Sequence, residues 1–300
     1  MAARRLRFLL AAPMALSLGL APVNPVQAMV PYVFTPRPGE LEGAGLGIAQ
    51  VAARLLRMGQ AEEASRLAAL TVQLMPNDPR GWVLLAEGQL RSRQSSKAAL
   101  SLARAKALDP KNPGIWFAEG SLALRDGRPI DAVGLLKQGL RLESNNSGAY
   151  FDLGNAYIQL GNQGAALSAF ERAAELRRDF WEAINNQGLV LFERGQREEA
   201  LIRWRRVLRI KPGAAEPTLA LASGLYSTAR GPEARAEAVE MASQALAADP
   251  NYVLDSYQED QLWGPRLRSA ARVLLADPAL RTSVERANAN ANPDESGTLE

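Results

Sequence analysis

Residues 150–161 read YFDLGNAYIQLG. Aromatic residues open the stretch, Leu153-Gly154 follow, a second aromatic stands at Tyr157, and Gly161 closes it. What needs explaining is the spacing of large and small side chains. The same pattern returns every 34 residues over five units without slippage. The fourth place of each unit holds Ile48, Trp82, Trp116, Tyr150 and Ile184, and the eighth holds Ala52, Ala86, Gly120, Gly154 and Gly188. Ala fills the twentieth place throughout, at Ala64, Ala98, Ala132, Ala166 and Ala200. The fifteenth holds Gly59, Gly127, Gly161 and Gly195, with Arg93 as the exception. Pro76, Pro110 and Pro212 close three units, and Ser144 and Arg178 replace Pro in the others.

A fixed period of this length marks a repeat architecture. The spacing predicts two amphipathic helices per unit, Ser147 to Leu160 and Gln163 to Leu176 in the quoted unit, with a turn at Gly161-Asn162. Small residues at the eighth and twentieth places let the two helices approach. Trp82, Trp116, Tyr150 and Tyr157 are expected as core wedges beside them. One helix pair cannot bury both its faces, so neighbouring pairs must stack. The fold class expected is all-α, a right-handed α-solenoid of antiparallel helix pairs. Composition agrees: Ala and Leu dominate, aromatics are 6%, and hydrophobic residues at 47% can fill a core.

These residues and this period resemble the tetratricopeptide repeat family over about residues 45–250, as five clear units and one degenerate unit. The sixth unit, from 215, has Leu221-Ala222 and Ala238 but needs extra residues around Ala229–Pro232. Residues 251–287 have apolar residues at helical spacing, broken at Gly264-Pro265 and Pro278, and are expected as a helical cap on the last repeat. Residues 288–300 are polar and of low complexity, and are expected to be disordered.

The N-terminus reads as an address. Arg4, Arg5 and Arg7 precede an apolar run, Phe8 to Leu20, and Val26-Gln27-Ala28 offers small residues to a signal peptidase. Cleavage after Ala28 is expected, with an uncleaved membrane anchor as the alternative; the run is short of the roughly 20 apolar residues of a spanning helix. The chain is therefore expected to be exported or membrane-associated. Residues 29–44 then read as a Pro/Gly-rich linker. Three of the 35 basic residues lie in the leader, which leaves 32 against 32 acids, so the net charge of +3 gives no footprint for nucleic acid.

There is no His and no Cys. That excludes Ser-His-Asp and Cys-His nucleophiles, imidazole or thiolate metal sites, and disulfides. No phosphate loop is present, and EGAGLG at 42–47 lacks the strand a dinucleotide site requires. The basic stretch RWRRVLRIK at 203–211 falls on the second helix of unit five, with Trp204 at a core place. No cofactor, metal, nucleic acid or small-molecule substrate is expected.

The family resemblance implies that the first helix of each unit lines a concave groove. Three groove features stand out. Phe117 and Phe151 at the fifth place, with Leu90, Leu124, Ile158 and Phe192 at the twelfth, form an apolar stripe, although the twelfth places also suit half-burial against the next unit. Arg57, Arg91 and Arg125 at the thirteenth place form a ladder, either a basic edge for an acidic partner segment or cations that offset a helix dipole. Asp152, Asn155, Gln159, Asn185 and Asn186 form a polar cluster suited to the backbone of an extended peptide. The Lys/Asn carboxylate clamp of some family co-chaperones is missing: Ala49, Ala53, Leu84, Gly114 and Ala118 stand at its places. The groove carboxylates Glu87, Asp152, Glu182, Glu193 and Glu216 are spread over four units, only Glu182 and Glu193 sharing one at opposite ends of a helix, which argues against a carboxylate-pair enzyme.

The expected function is a non-catalytic scaffold or assembly factor that holds a partner protein segment in its groove. The layout, with the tail motif QLWG at 261–264, also resembles tetratricopeptide proteins that assist photosystem or pigment-enzyme assembly at cyanobacterial thylakoids, one of which partners protochlorophyllide oxidoreductase. The alternative is an envelope scaffold for secretion or cell-wall assembly.

Overall fold

The computed structural model describes residues 38–292. They are helical throughout, with no strand among them. Twelve helices form consecutive antiparallel pairs: α1 (Pro38–Arg57) with α2 (Ala61–Leu74), α3 (Pro79–Arg91) with α4 (Ser95–Leu108), and α5 (Pro113–Arg125) with α6 (Pro129–Leu142). Then come α7 (Ser147–Gln159) with α8 (Gln163–Leu176), α9 (Trp181–Glu193) with α10 (Arg197–Ile210), and α11 (Ala215–Tyr226) with α12 (Pro232–Ala248). Each pair packs on the next, so the described chain is an α-solenoid.

The repeat places explain the joints. At the eighth place, a Cβ on Gly154 would run into the ring of Phe170, and one on Gly188 into the indole of Trp204. Glycine there lets a large second-helix residue lie flat against the first helix, and Phe170 and Trp204 are fully buried. The fourth-place tryptophans have a second function. Trp82 Nε1 donates to the Pro76 carbonyl at 2.9 Å, and Trp116 Nε1 to the Pro110 carbonyl at 3.1 Å, so each wedge ties down the proline that closed the unit before it. The residue two after that proline caps the next first helix: Asp78 accepts from Arg80 N and Asn112 from Gly114 N. Asn146 caps Ala149 N in the same way.

At the fifteenth place Gly59, Gly127, Gly161 and Gly195 take left-handed φ values of 69–80°. Arg93 takes the same conformation with φ of 56°, so the turn geometry is common to all five units and only its cost differs.

Two boundaries depart from expectation. The first helix begins at Pro38, inside the segment expected as a linker to residue 44. Pro at the first turn suits a helix start, and Gly45 is where α1 rests on Met75, a contact the glycine-rich sequence did not advertise. At the other end α15 (Arg281–Asn290) runs past 287 into the segment expected to be disordered. The expected leader and cleavage site, residues 29–37 and residues 293–300 lie outside the described residues. No helix among the described residues is long and apolar enough to cross a membrane.

The C-terminal segment comprises a 3-10 turn (Pro250–Val253), α13 (Asp255–Asp260), α14 (Pro265–Leu275), a second 3-10 turn (Pro278–Leu280) and α15. While α15 packs on α12, α14 lies across α11 and α9, the first helices of the last two units. Leu267, Ala271 and Leu274 of α14 join Leu189, Phe192, Leu219 and Trp204 in one buried cluster.

Candidate functional site: the concave groove

The first helices α1, α3, α5, α7, α9 and α11 supply the groove residues. Along α9 every residue from Ala183 to Phe192 is buried, and along α11 every residue from Pro217 to Gly224. The groove of the last two units is thus filled by the chain's own C-terminal segment. In the units before it, Val83, Leu84, Glu87, Ala118, Ser121 and Asp152 remain partly open, and Gln50, Arg80 and Gln159 are exposed.

The apolar stripe is more interior than its spacing suggested. Phe117 is half-buried, with its ring against Gly139, where an added Cβ would stand 2.5 Å from the ring. Phe151 is also half-buried, with its centroid 5.7 Å from Phe170 and 5.1 Å from Phe180. Leu90 and Phe192 are buried, and Leu124 and Ile158 are half-buried against neighbouring clusters. These six side chains join the units together and do not form a free row of contacts. A glycine at the twenty-seventh place of unit three was the available signal for Phe117.

The second and third arginines of the ladder stay exposed but bond back along the stack. Arg91 Nη1 donates to the Leu56 carbonyl at 3.2 Å, while Nη2 pairs with Glu87 at 2.8 Å. Arg125 Nη1 donates to the Leu90 carbonyl. Partial burial, and then the neighbouring Arg93, hold the Arg125 guanidinium below its ordinary value. Arg57, on the first helix among the described residues, is exposed as well. The second and third rungs are therefore stitches between units.

The polar cluster divides in two. Asp152 accepts from Ser121 Oγ of the preceding unit; burial pushes its carboxyl up to about 6, opposed by that hydrogen bond and by Arg125. Asn186 Nδ2 donates to Asn155 Oδ1 at 3.1 Å, and Asn185 Nδ2 to Asn186 Oδ1 at 3.3 Å. All three asparagines are buried and bonded in a chain, with Asn185 Oδ1 left without a partner, and they are not presented to an incoming peptide. Gln159 alone of the five is exposed.

Two carboxylates that sequence reasoning set aside as isolated hold this segment in place. Glu193 accepts from Leu267 N at 2.8 Å and from Arg266 N at 3.2 Å, capping α14 from across the groove. Gly264 leaves room for it: a Cβ there would collide with the Glu193 carboxyl. Glu216 accepts from Trp263 Nε1 at 3.0 Å, beside Asn185 and Tyr252. Burial pushes Glu216 up to about 7, against the opposing effect of those donors. Tyr252 is raised as well, by burial and then by Glu216. The only advance sign was that QLWG places a Trp next to a Gly-Pro break. Beside α14 a cleft of about 590 Å³ is lined by Phe192, Arg197, Tyr226, Arg266 and Val273.

Among the described residues no group of acidic side chains is placed to hold a metal ion. Glu87, Asp152, Glu193 and Glu216 each have a partner of their own within the fold.

A tetratricopeptide repeat family model matches residues 123–186. No curated protein sequence matches the chain. Among solved structures, pilF of Pseudomonas aeruginosa is 19% identical with a TM-score of 0.61, over 75% of this chain and 98% of its own. TTC0263, a tetratricopeptide protein of Thermus thermophilus, is 20% identical with a TM-score of 0.54, over 60% of this chain and 98% of its own. The APC/C hetero-tetramer Cut9-Hcn1 gives 14% identity and a TM-score of 0.64, over 80% of this chain and 46% of that one. At such identities the likeness is one of fold. The chain thus carries tetratricopeptide repeat sequence at its centre, and its described residues form the helix-pair solenoid of that fold.

Proposed function

We propose that the protein is a non-catalytic scaffold that holds a segment of another protein, helical or extended, in the open part of its groove, along α1, α3, α5 and α7. One observation carries this reading: α14 already lies along the same face of α9 and α11, with its N-terminus held by Glu193 and the preceding Trp263 by Glu216. A groove that takes a helix of its own chain in two units offers equivalent places in the other four, which α14 does not cover. Val83 and Ala118 supply an apolar floor, and Ser121, Asp152 and Gln159 supply polar contacts beside it. The carboxylates' structural partners support the non-catalytic part.

The test is a photo-crosslinking amino acid placed at Val83 or Ala118, compared with the same group at Leu100 or Ile130, both 74% exposed on second helices. One partner crosslinked from the first pair and not from the second supports the groove. Equal labelling from both pairs would refute it. In our reading the leader motif supports delivery of this scaffold to or across a membrane. Photosynthetic pigment-enzyme assembly and envelope assembly are the two settings its layout fits, and fractionation of thylakoid from envelope membranes separates them.

A further inference from the structure

The turn that closes α3 departs from its four counterparts. Gly59, Gly127, Gly161 and Gly195 hold the left-handed position elsewhere, and Arg93 holds it here with φ of 56°. An L side chain crowds its own carbonyl in that region, and a residue other than glycine persists there where another interaction offsets the cost. Nothing within the fold does so. The Arg93 side chain is exposed, and among the described residues it donates to no acceptor and pairs with no acid.

Two more guanidiniums gather at this turn. The amide of Arg93 donates to the Leu90 carbonyl at 3.1 Å, and Arg125 Nη1 of the next unit donates to the same oxygen. Arg91 lies in the same turn and is anchored on the Leu56 carbonyl. Both Arg93 and Arg91 act on Arg125 as like charges. The acids nearby are already engaged: Glu87 by Arg91, Asp126 by Arg128, Asp152 by Ser121 and Glu63 by Arg66. On the side towards unit one, Glu62 shares with Arg93 a depression of about 480 Å³. Towards unit three the neighbour of Arg93 is Arg125, so the cluster carries unmatched positive charge on that side.

The repeat register says what such a cluster reads. Arg91 and Arg125 stand at the thirteenth place, where unit five has Glu193. There the acid accepts from the first amides of α14, the segment that fills that part of the groove. An acid at this place meets donors. A base at the same place is matched by acceptors, and a guanidinium pairs best with carboxylate. Residues 1–37 contain no Asp or Glu, so they do not supply the acids. Outside the expected leader the chain has as many acids as bases, which disfavours a nucleic-acid backbone.

We propose that Arg93, with Arg91 and Arg125, is the basic edge of the open groove, and that the partner segment held there presents carboxylates to units two and three. This rests on the groove reading above and adds the partner's charge to it. Arg93 is then kept at a strained position for contact, so stability and binding respond to it in opposite directions.

Fluorescence anisotropy of a labelled glutamate-rich peptide, measured against its glutamine counterpart, tests this on the full chain. At low salt the wild type is expected to bind the glutamate peptide about tenfold more tightly, and added salt should erase most of the difference. Arg93→Gly should melt at a higher temperature and yet lose about fivefold in affinity for the glutamate peptide. Arg93→Lys should retain most of the affinity, and Arg209→Gln, at an exposed position of α10, all of it. An Arg93→Gly chain that binds as the wild type does overturns the proposal, as does equal binding of the two peptides. Tighter binding of single-stranded DNA than of the glutamate peptide would assign the cluster to nucleic acid and overturn it as well. Neutralising Asp294, Glu295 and Glu300 together separates a partner from the chain's own tail: a gain in affinity on doing so would make the tail the occupant and overturn the partner. A photo-crosslinker at Val83 keeps the two readings apart. If both peptides label there equally, the groove stands and its acidic preference falls. If glutamate binding is lost in Arg93→Gly but Val83 is never labelled, the cluster binds acids and the groove reading falls.

Discussion

The guanidinium of Arg91 reaches back 35 residues to donate to the main-chain carbonyl of Leu56. Leu56 lies in the last turn of α1, where carbonyls have no partner within their own helix. Arg125 does the same for Leu90 at the end of α3. The cation therefore opposes the dipole of the preceding unit's helix and adds a charged donor to a carbonyl that otherwise accepts only from the turn, Gly59 N for Leu56 and the Ser92 and Arg93 amides for Leu90, so two short helices are held in register by one side chain. Replacing Arg91 or Arg125 by Met is expected to cost about 1–2 kcal/mol each, because a carbonyl loses a charged donor. Arg57→Met should stay within about 0.5 kcal/mol, as for most exposed positions. Urea unfolding followed by circular dichroism measures all three. Equal effects at the three rungs would mean that the ladder does not stitch the units.

Arg93 offers the opposite case, a position where the sequence breaks its own pattern and the backbone does not. Its φ of 56° falls in the region where an L side chain crowds its own carbonyl, and its four counterparts are glycines. Arg93→Gly is expected to stabilise the chain by about 0.5–1 kcal/mol, the relief of strain being partly offset by the freer unfolded chain. Ala in place of Gly161, whose φ is 70°, should cost about the same or more. Thermal melts of the two variants should move in opposite directions, and a lower melting temperature for Arg93→Gly would refute the strain argument.

Period explains which parts of the molecule could be read from the sequence. Helix pairs, their turns and the close contacts at the eighth and twentieth places recur, so each unit corroborates the next. Trp204 was placed in the core because its register said so, and it lies against Gly188. The groove was harder, since a repeat place fixes direction but not depth. Phe117 and Phe151 do point from first helices, yet Gly139 in one case and Phe170 with Phe180 in the other draw the rings in against other residues of their own units. The C-terminal segment has no register at all. That α14 turns back over α9 depends on Glu193 meeting the amides of Arg266 and Leu267, a contact more than seventy residues apart that no local pattern encodes. Likewise α1 was expected late because its glycines look like a spacer; only Gly45 among them is buried, against Met75, and Gly39, Gly43 and Gly47 are exposed on the helix.

Two carboxylates make stability depend on pH. Asp152 is raised from 3.8 to about 6 and Glu216 from 4.5 to about 7, each mainly by burial. The native chain thus holds protons that the unfolded chain has released. Stability from these groups is fully present below about pH 4 and is lost as the pH rises towards 7, by an amount of order 1–3 kcal/mol in total. The melting temperature is expected to fall between about pH 5 and pH 8. Glu216→Gln keeps an acceptor for Trp263 and cannot ionise, so it should remove the upper part of that slope. A melting temperature that rises over this range, or a slope unchanged in Glu216→Gln, would show that the groups do not titrate as burial dictates.

Trp263 is the residue on which the filled part of the groove depends. It is buried, it stacks 5.8 Å from Tyr252, and its indole N–H is a donor to Glu216. Trp263→Ala is expected to cost about 3–5 kcal/mol for the cavity, plus the loss of one of the donors to the buried Glu216 carboxyl. In a repeat stack the loss should stay local, since each unit contacts mainly its neighbours. The clusters around Leu102 and Leu136 do not include any part of α14. Amide hydrogen exchange should therefore show α14, α11 and α9 losing protection while α3 to α6 keep theirs. Glu193→Gln, which weakens only the cap on α14, should produce a smaller version of the same pattern, about 1 kcal/mol. Uniform loss of protection along the whole chain in Trp263→Ala would mean that the C-terminal segment supports the entire solenoid, and that the open groove of the first four units is not independent of the filled one.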